Sequence, residues 1–382
     1  MPDRLYLDHN ATSPLRPQVR DAMLEVMEGA HNPSSVHGEG RAAKRLLEIS
    51  RQTLEDAVGA PKEGVIFTSG GTEADNLALN GMVHGPSNIR HLMVSAIEHD
   101  AVRVPVEALQ AQGVTREVVP VTPDGVIDIA WLEKRLFTYD ASTEGAFLLC
   151  VMLANNETGV IQPIEQLGPM VWPKGGYLFV DAVQGFGKLP LDFNQSGADL
   201  MALGAHKVGG PIGVGALLTK PGLPVTPQLR GGGQELYRRA GTENLPAIVG
   251  FAKMAEVARP EEYAALVDWR DALEAGLPPH VTIWGKDAPR LGNTSCFSAP
   301  GFSAETQVMV MDLAGMAISA GSACSSGKVR QSTVLQAMDA SEEDAKSAIR
   351  ISFGWDTPKE APARFLQSWT KEFERIAAQN AA

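Results

Sequence analysis

Two residues of opposite charge, Asp181 and Lys207, each follow a short apolar run, 177–180 and 198–203. Apolar runs of that length, bounded by glycine, read as buried strands. In an open parallel sheet, ligands gather at the carboxyl ends of the strands, so the acid and the amine should face one crevice. That pairing suits pyridoxal phosphate. The cofactor needs a lysine for its Schiff base and an acid to keep its pyridine nitrogen protonated, so that the ring can accept electrons. Taken alone, the pair favours an ordinary ion pair or two solvated strand-end charges. The neighbouring motifs shift that balance.

A strand at 64–69 runs into GGTEADNLAL, a glycine pair and Thr72 ahead of a helix. Free N–H groups at a helix start are a ready anchor for phosphate. Thr72 also reads as a helix cap, with Asp75 as a weak reciprocal partner. Cys324 lies in ISAGSACSSGKVRQSTVL, with Gly321, Ser322, Ser325, Ser326 and Gly327 around it and no large apolar neighbour. A thiol on such a loop is accessible, and Lys328 and Arg330 favour its thiolate. Cys150, within AFLLCVML, reads as a buried structural cysteine, and Cys296 sits in a strand.

These residues need elements to carry them. A strand or arm is expected at 5–7, then an amphipathic helix over Pro17–Met27 through Val19, Met23, Leu24 and Met27. Further strands are expected at 91–96, with His99 beyond its end, and at Phe147–Met152, with Asn156 beyond it. A βαβ rhythm thus runs from about 60 to 220, which indicates a mostly parallel sheet with helices on both faces. GGPIGVG imitates a dinucleotide fingerprint but lacks the following helix and the later ribose-binding acid. RGGGQELYRRAGTENLPAIVG reads as a loop. Beyond 251 the pattern turns to helices and antiparallel-looking strands, closing on an amphipathic helix, ARFLQSWTKEFERIAAQ. No low-complexity tether separates the two regions.

DAVQGFGKLPLD and GAHKVGGPIGVGAL, with YLDHNAT near the start and RISFG near the end, closely resemble the pyridoxal-phosphate cysteine desulfurases of the class-V aminotransferase group. The resemblance covers nearly the whole chain. It implies an α/β protein of pyridoxal-phosphate fold type I: an arm at 1–14 against the small domain, a large cofactor domain at 15–250, and a smaller α+β domain at 251–382 carrying the cysteine loop. It also implies roles. Gly71 and Thr72 hold the phosphate, and His99 stacks on the ring and moves protons. Asn156 contacts substrate or cofactor, Gln184 reaches the phenolic oxygen, and His206 and Lys207 close the site. Thr242 reaches a partner subunit's phosphate, which makes a homodimer. Arg350 pairs with the substrate carboxylate. Cys324 takes the sulfur of L-cysteine as a persulfide and passes it to an acceptor, an iron–sulfur scaffold or a tRNA-thiolation carrier. Three positions depart from the family pattern: His9 stands where asparagine is usual, Gly204 where a serine contacts phosphate, and Trp355 where a second arginine is usual.

The 382 residues carry a formal charge of −12 and no basic run, which argues against nucleic acid as a partner. No apolar stretch approaches the roughly 20 residues that cross a bilayer, and MPDRLYLDHNAT has no signal-peptide core. Three sparse cysteines fit a reducing cytoplasm, and without CxxC or CxxH spacing no metal site is expected. The rival readings are selenocysteine lyase, another class-V aminotransferase, and a silent scaffold for sulfur-transfer partners.

Overall fold

The computed structural model describes residues 4–29, 31–321 and 331–380. Cys324 therefore lies outside the described residues. The chain opens with β1 (Leu5–Tyr6), α1 (Pro17–Met27) and α2 (Gly38–Ala57). It then alternates strand and helix: β2 (Val65–Thr68), α3 (Gly71–Val83), β3 (His91–Ser95) and α4 (Asp100–Gln110). The strands β4 (Thr115–Val119), β5 (Phe147–Met152), β6 (Gly176–Asp181), β7 (Leu200–Gly204) and β8 (Gly215–Thr219) complete a seven-stranded sheet in the order β2-β8-β7-β6-β5-β3-β4. Pairing is parallel from β4 through β7, while β8 runs antiparallel to both neighbours. Because β8 reverses twice over, β2 points the same way as β7. The carboxyl ends of β2, β3, β5, β6 and β7 therefore share one edge of the sheet.

Alternation along β5 explains the two-sided cover. Phe147, Leu149 and Val151 pack into one apolar cluster, and Leu148 and Cys150 into another on the opposite face. Close approach at the functional edge depends on Gly215. A β-carbon there would lie 2.5 Å from the carbonyl carbon of Gly70 and 2.7 Å from the Leu203 oxygen, so only glycine lets the turn before α3 sit against β8.

The second unit is built on β9 (Thr282–Ile283), β10 (Thr294–Ser298), β11 (Met316–Ala317), β12 (Ser319–Ala320) and β13 (Ala348–Ser352). Four of these form an antiparallel sheet, β12-β13-β10-β9, and β11 pairs in parallel with β1. The arm continues the pairing: Ser352 N donates to the Leu7 carbonyl (2.9 Å). The closing helix Ala361–Asn380 stacks Trp369 on Phe373 at 5.0 Å and packs on Phe297 of β10. Its aromatics belong to the same continuous core as Leu149 of the large sheet. The helix Leu245–Val257 runs across residue 250, with Gly250 against Met23 of α1.

Two local expectations are corrected. In α1 the buried stripe is Val19 and Val26 with Met23 partly covered, whereas Leu24 and Met27 are 53% and 63% exposed. Positions 19, 23 and 26 follow the helical repeat and face the helix Leu245–Val257, and 24 and 27 fall to its side. The Thr72–Asp75 cap does not form. The helix α3 begins at Gly71, two residues earlier than a Thr72 cap requires, and its N-cap Gly70 has no side chain to contribute. The Glu73 carboxylate instead accepts from Ser69 N (2.7 Å), and Asp75 is buried.

Candidate cofactor and active site

Each strand end at the shared edge delivers one polar group into a pocket of about 310 Å³. That is at the lower end of the usual range for small-molecule sites. Gly71 and Thr72 come from β2–α3, His99 from beyond β3, Asn156 from beyond β5, Asp181 from the last position of β6, and His206 and Lys207 from beyond β7. Gln184 follows on a single turn after Asp181, and Arg350 enters from β13 of the second unit. Nine of the eleven sequence-predicted site residues line one cavity, and Cys324 lies outside the described residues. Thr242 does not line it. It sits exposed in the loop before the helix Leu245–Val257.

The amine is held, not free. Lys207 Nζ donates to the main-chain oxygens of Asn10 (2.9 Å) and Ala11 (2.8 Å). Burial, then the like charge of Arg350, pulls its pKa down to about 8, against the attraction of Asp8 and Asp181. Asp181 Oδ1 accepts from Val183 N (2.9 Å). Burial raises the Asp181 pKa, opposed by that amide and by His99 and Lys207. Behind it, Asp75 and Glu98 are buried, each with one carboxyl oxygen lacking a partner. Burial and the proximity of Asp181 push both well above the carboxylate range. Glu98 also has a donor, the amide of Met152 (2.7 Å), but of the three acids only Asp181 has His99 and Lys207 opposing the rise.

His99 caps α4, and its Nδ1 accepts from Ala101 N (3.1 Å). That bond fixes the tautomer, leaving Nε2 as the nitrogen that carries the proton. His206 Nδ1 lies 3.3 Å from Thr12 Oγ1, and burial beside Lys207 lowers its pKa to about 4, so it is neutral near pH 7. At the start of α3 the first intrahelical bond runs from Ala74 N to the Gly70 oxygen (3.1 Å). The amides of Gly71 and Thr72 precede it and remain available for an anion.

Arg350 joins the units. It donates to the Asn156 carbonyl (2.8 Å) and to Asp8 Oδ1 (2.5 Å), and its Nε is buried without a partner. Behind the pocket, Glu157 Oε2 accepts from Ser332 Oγ (2.5 Å). Burial raises the Glu157 pKa to about 7.

A match to the model of the class-V aminotransferases spans residues 5–364. The chain belongs to the class-V aminotransferase family. Curated relatives within that family include a cysteine desulfurase of Cereibacter sphaeroides, 40% identical over 94% of this chain and 93% of the relative. The cysteine desulfurase IscS of Dictyoglomus turgidum is 37% identical, over 94% of this chain and 92% of the relative. Among solved structures, a NifS-like protein from Rickettsia africae superposes with a TM-score of 0.87 at 32% identity, covering 97% of this chain and 99% of its own.

Sequence reasoning did not single out Asn10, yet this family member hangs much of its site on it. Its carbonyl accepts from Lys207 and from Gln184 Nε2 (2.8 Å), and its side chain meets Lys188, Asn293 and Thr294. The only signal was its place in the polar run after β1. His9, one of the three departures from the family pattern, is fully buried between Ser13 (2.9 Å) and Thr357 (3.2 Å). Burial, the largest cause, lowers its pKa to about 3. It fits because Gly354 has no side chain: a β-carbon there would lie 1.9 Å from the imidazole. Trp355 donates to the Pro14 carbonyl (3.0 Å) and lies under the Arg16 guanidinium (5.3 Å).

Proposed function

We propose that this protein is a pyridoxal-phosphate-dependent cysteine desulfurase that turns L-cysteine into L-alanine and holds the sulfur as a persulfide on Cys324. The observation that carries the reading is the convergence of Lys207 and Asp181 from adjacent strand ends, with Arg350 arriving from the second unit. The similarity to cysteine desulfurases over nearly the whole chain supports it.

The donor set suits the cofactor. Gly71 and Thr72 would hold its phosphate, Asp181 its pyridine nitrogen, Gln184 its phenolic oxygen, and Lys207 its aldehyde carbon, with His206 and Asn156 beside it. Once bound, pyridoxal phosphate supplies an electron sink for the substrate Cα. Arg350 binds the substrate carboxylate, which satisfies the orphaned Nε and competes with Asp8 for the guanidinium. Lys207, with a pKa near 8, can take the Cα proton and return one near neutrality. His99, its Nε2 protonated, moves the proton at the leaving sulfur.

Cys324 attacks the substrate sulfur as a thiolate. The substrate C–S bond breaks, an S–S bond forms on Cys324, and the substrate carbon leaves as alanine after taking up a proton. Cys150 and Cys296 are ill suited to this step: both are buried, and burial pushes both thiols up. The persulfide passes to an acceptor such as an iron–sulfur scaffold or a thiolation carrier. The working unit is a cytoplasmic homodimer, in which Thr242 serves the partner's phosphate. The test is direct: incubate the protein with pyridoxal phosphate and L-cysteine, and measure alanine and sulfide. Equal amounts of both in the presence of a reductant are expected, and absence of alanine would remove the assignment.

A further inference from the structure

Lys188 is a second buried amine, 2% exposed, that the chemistry above leaves without a task. Its Nζ donates to Gln184 Oε1 (2.7 Å) and to Asn10 Oδ1 (2.8 Å). Both acceptors are uncharged amide oxygens, and no carboxylate is paired with it among the described residues. Two acceptors match the two N–H groups of an uncharged amine. Burial and the neighbouring cations Lys207 and Arg350 push its pKa well below the usual lysine range, in keeping with that state.

An amide side chain is nearly symmetric in shape, so its orientation is decided by its partners. Here the oxygen end of Gln184 is taken by Lys188. The nitrogen end donates one N–H to the Asn10 carbonyl (2.8 Å), and its second N–H has no acceptor among the described residues. Gln184 also lines the pocket. We infer that Lys188 is a positioning residue that locks the Gln184 amide with its nitrogen, and not its oxygen, offered to the bound ligand. With Lys188 removed, the oxygen end loses its donor and only the Asn10 carbonyl is left to orient the amide, which can then turn over and present a lone pair where it now presents a donor. The inference rests on the cofactor reading above, in which Gln184 serves the phenolic oxygen. A donor there stabilises the oxyanion and so favours the deprotonated chromophore, which keeps the pH midpoint of its visible absorption low.

The experiment is a pH titration of the visible absorption of the cofactor-loaded protein. Wild type is compared with Lys188→Met, Gln184→Ala and the double variant, each with its melting temperature and its affinity for pyridoxal phosphate. Lys188→Met should raise the midpoint by about one pH unit, Gln184→Ala should raise it similarly, and the double variant should add nothing further. A residue that only packed the core would lower the melting temperature and leave the midpoint in place. Gln184→Glu keeps Lys188 and puts an oxygen at the nitrogen position, so it gives the same reading if Lys188→Met does not fold. Its midpoint should also rise. An unchanged midpoint in Lys188→Met or Gln184→Glu overturns the inference, and so does a Lys188→Met shift that persists in full in the Gln184→Ala background. A wild-type protein that gains no visible band with pyridoxal phosphate refutes the cofactor reading itself.

Discussion

A lysine whose pKa lies near 8 behaves differently from one near 10.5, and the difference is measurable before any turnover. Only the free amine condenses with an aldehyde. The rate at which the cofactor-free protein captures pyridoxal phosphate should therefore climb with pH up to about 8 and then level off. A rate still climbing through pH 10 would mean that burial does not depress Lys207. Reduction with borohydride should fix the label on Lys207, and Lys207→Ala should carry none. At the same scale the three thiols divide. Cys324→Ser should keep the visible band of the bound cofactor and release no sulfide, while Cys150→Ala should cost stability, not chemistry. Sulfide release by Cys324→Ser at the wild-type rate would place the nucleophile elsewhere. The placement of Asp181, Lys207 and His99 at one edge was legible because each ends or follows an apolar run, whereas the role of His99 was implied only by the family resemblance. Asn10, Lys188 and His9 were not legible. Asn10 meets Lys188 178 positions away, and His9 meets Thr357 348 positions away, so nothing local marks them.

Among the elements, the junction of β2, β7 and α3 is where the proposed function would hold the phosphate. Gly204 ends β7 directly opposite that junction: a β-carbon there would lie 3.9 Å from Gly71 N and 3.2 Å from Val183. Gly204→Ser should therefore set a hydroxyl beside the free amides of α3 and lower the dissociation constant for pyridoxal phosphate about tenfold, the worth of one hydrogen bond to a charged group. Val183 must yield a few tenths of an ångström to admit it. Equilibrium dialysis of the two cofactor-free proteins decides the matter, and an unchanged or weaker affinity would show that the glycine is there for space. Strands such as β5 and β6 were readable from apolar runs with glycine or turn residues at their ends. The faces of α1 and the start of α3 were not. Which stripe of a helix is buried depends on the partner it meets, and the cap depends on where the strand before it ends.

For the whole molecule, the exposed position of Thr242 outside its own pocket leads to an assembly prediction. If it serves a partner's phosphate, cofactor and dimer stabilise one another. Sedimentation of the loaded protein should give a dimer, and Thr242→Ala should weaken both cofactor retention and association. An active monomer would exclude this arrangement. The change of pattern read near 250 falls within the helix Leu245–Val257, beyond which the smaller sheets begin. The resemblance implied an arm against that region, but its return to pair with β11 and β13 was not legible, because two-residue strands carry almost no periodicity. That return has a consequence for how the protein comes into being. Asp8 precedes the guanidinium it holds by 342 residues. During synthesis every strand of the seven-stranded sheet has emerged by residue 219, together with the Gln184, Lys188 and Lys207 that meet Asn10, while Asp8 still waits for Arg350. The last strand closes the pocket wall. The residues proposed to hold the cofactor, Thr242 included, are thus all made before Arg350, the residue proposed to hold the substrate carboxylate.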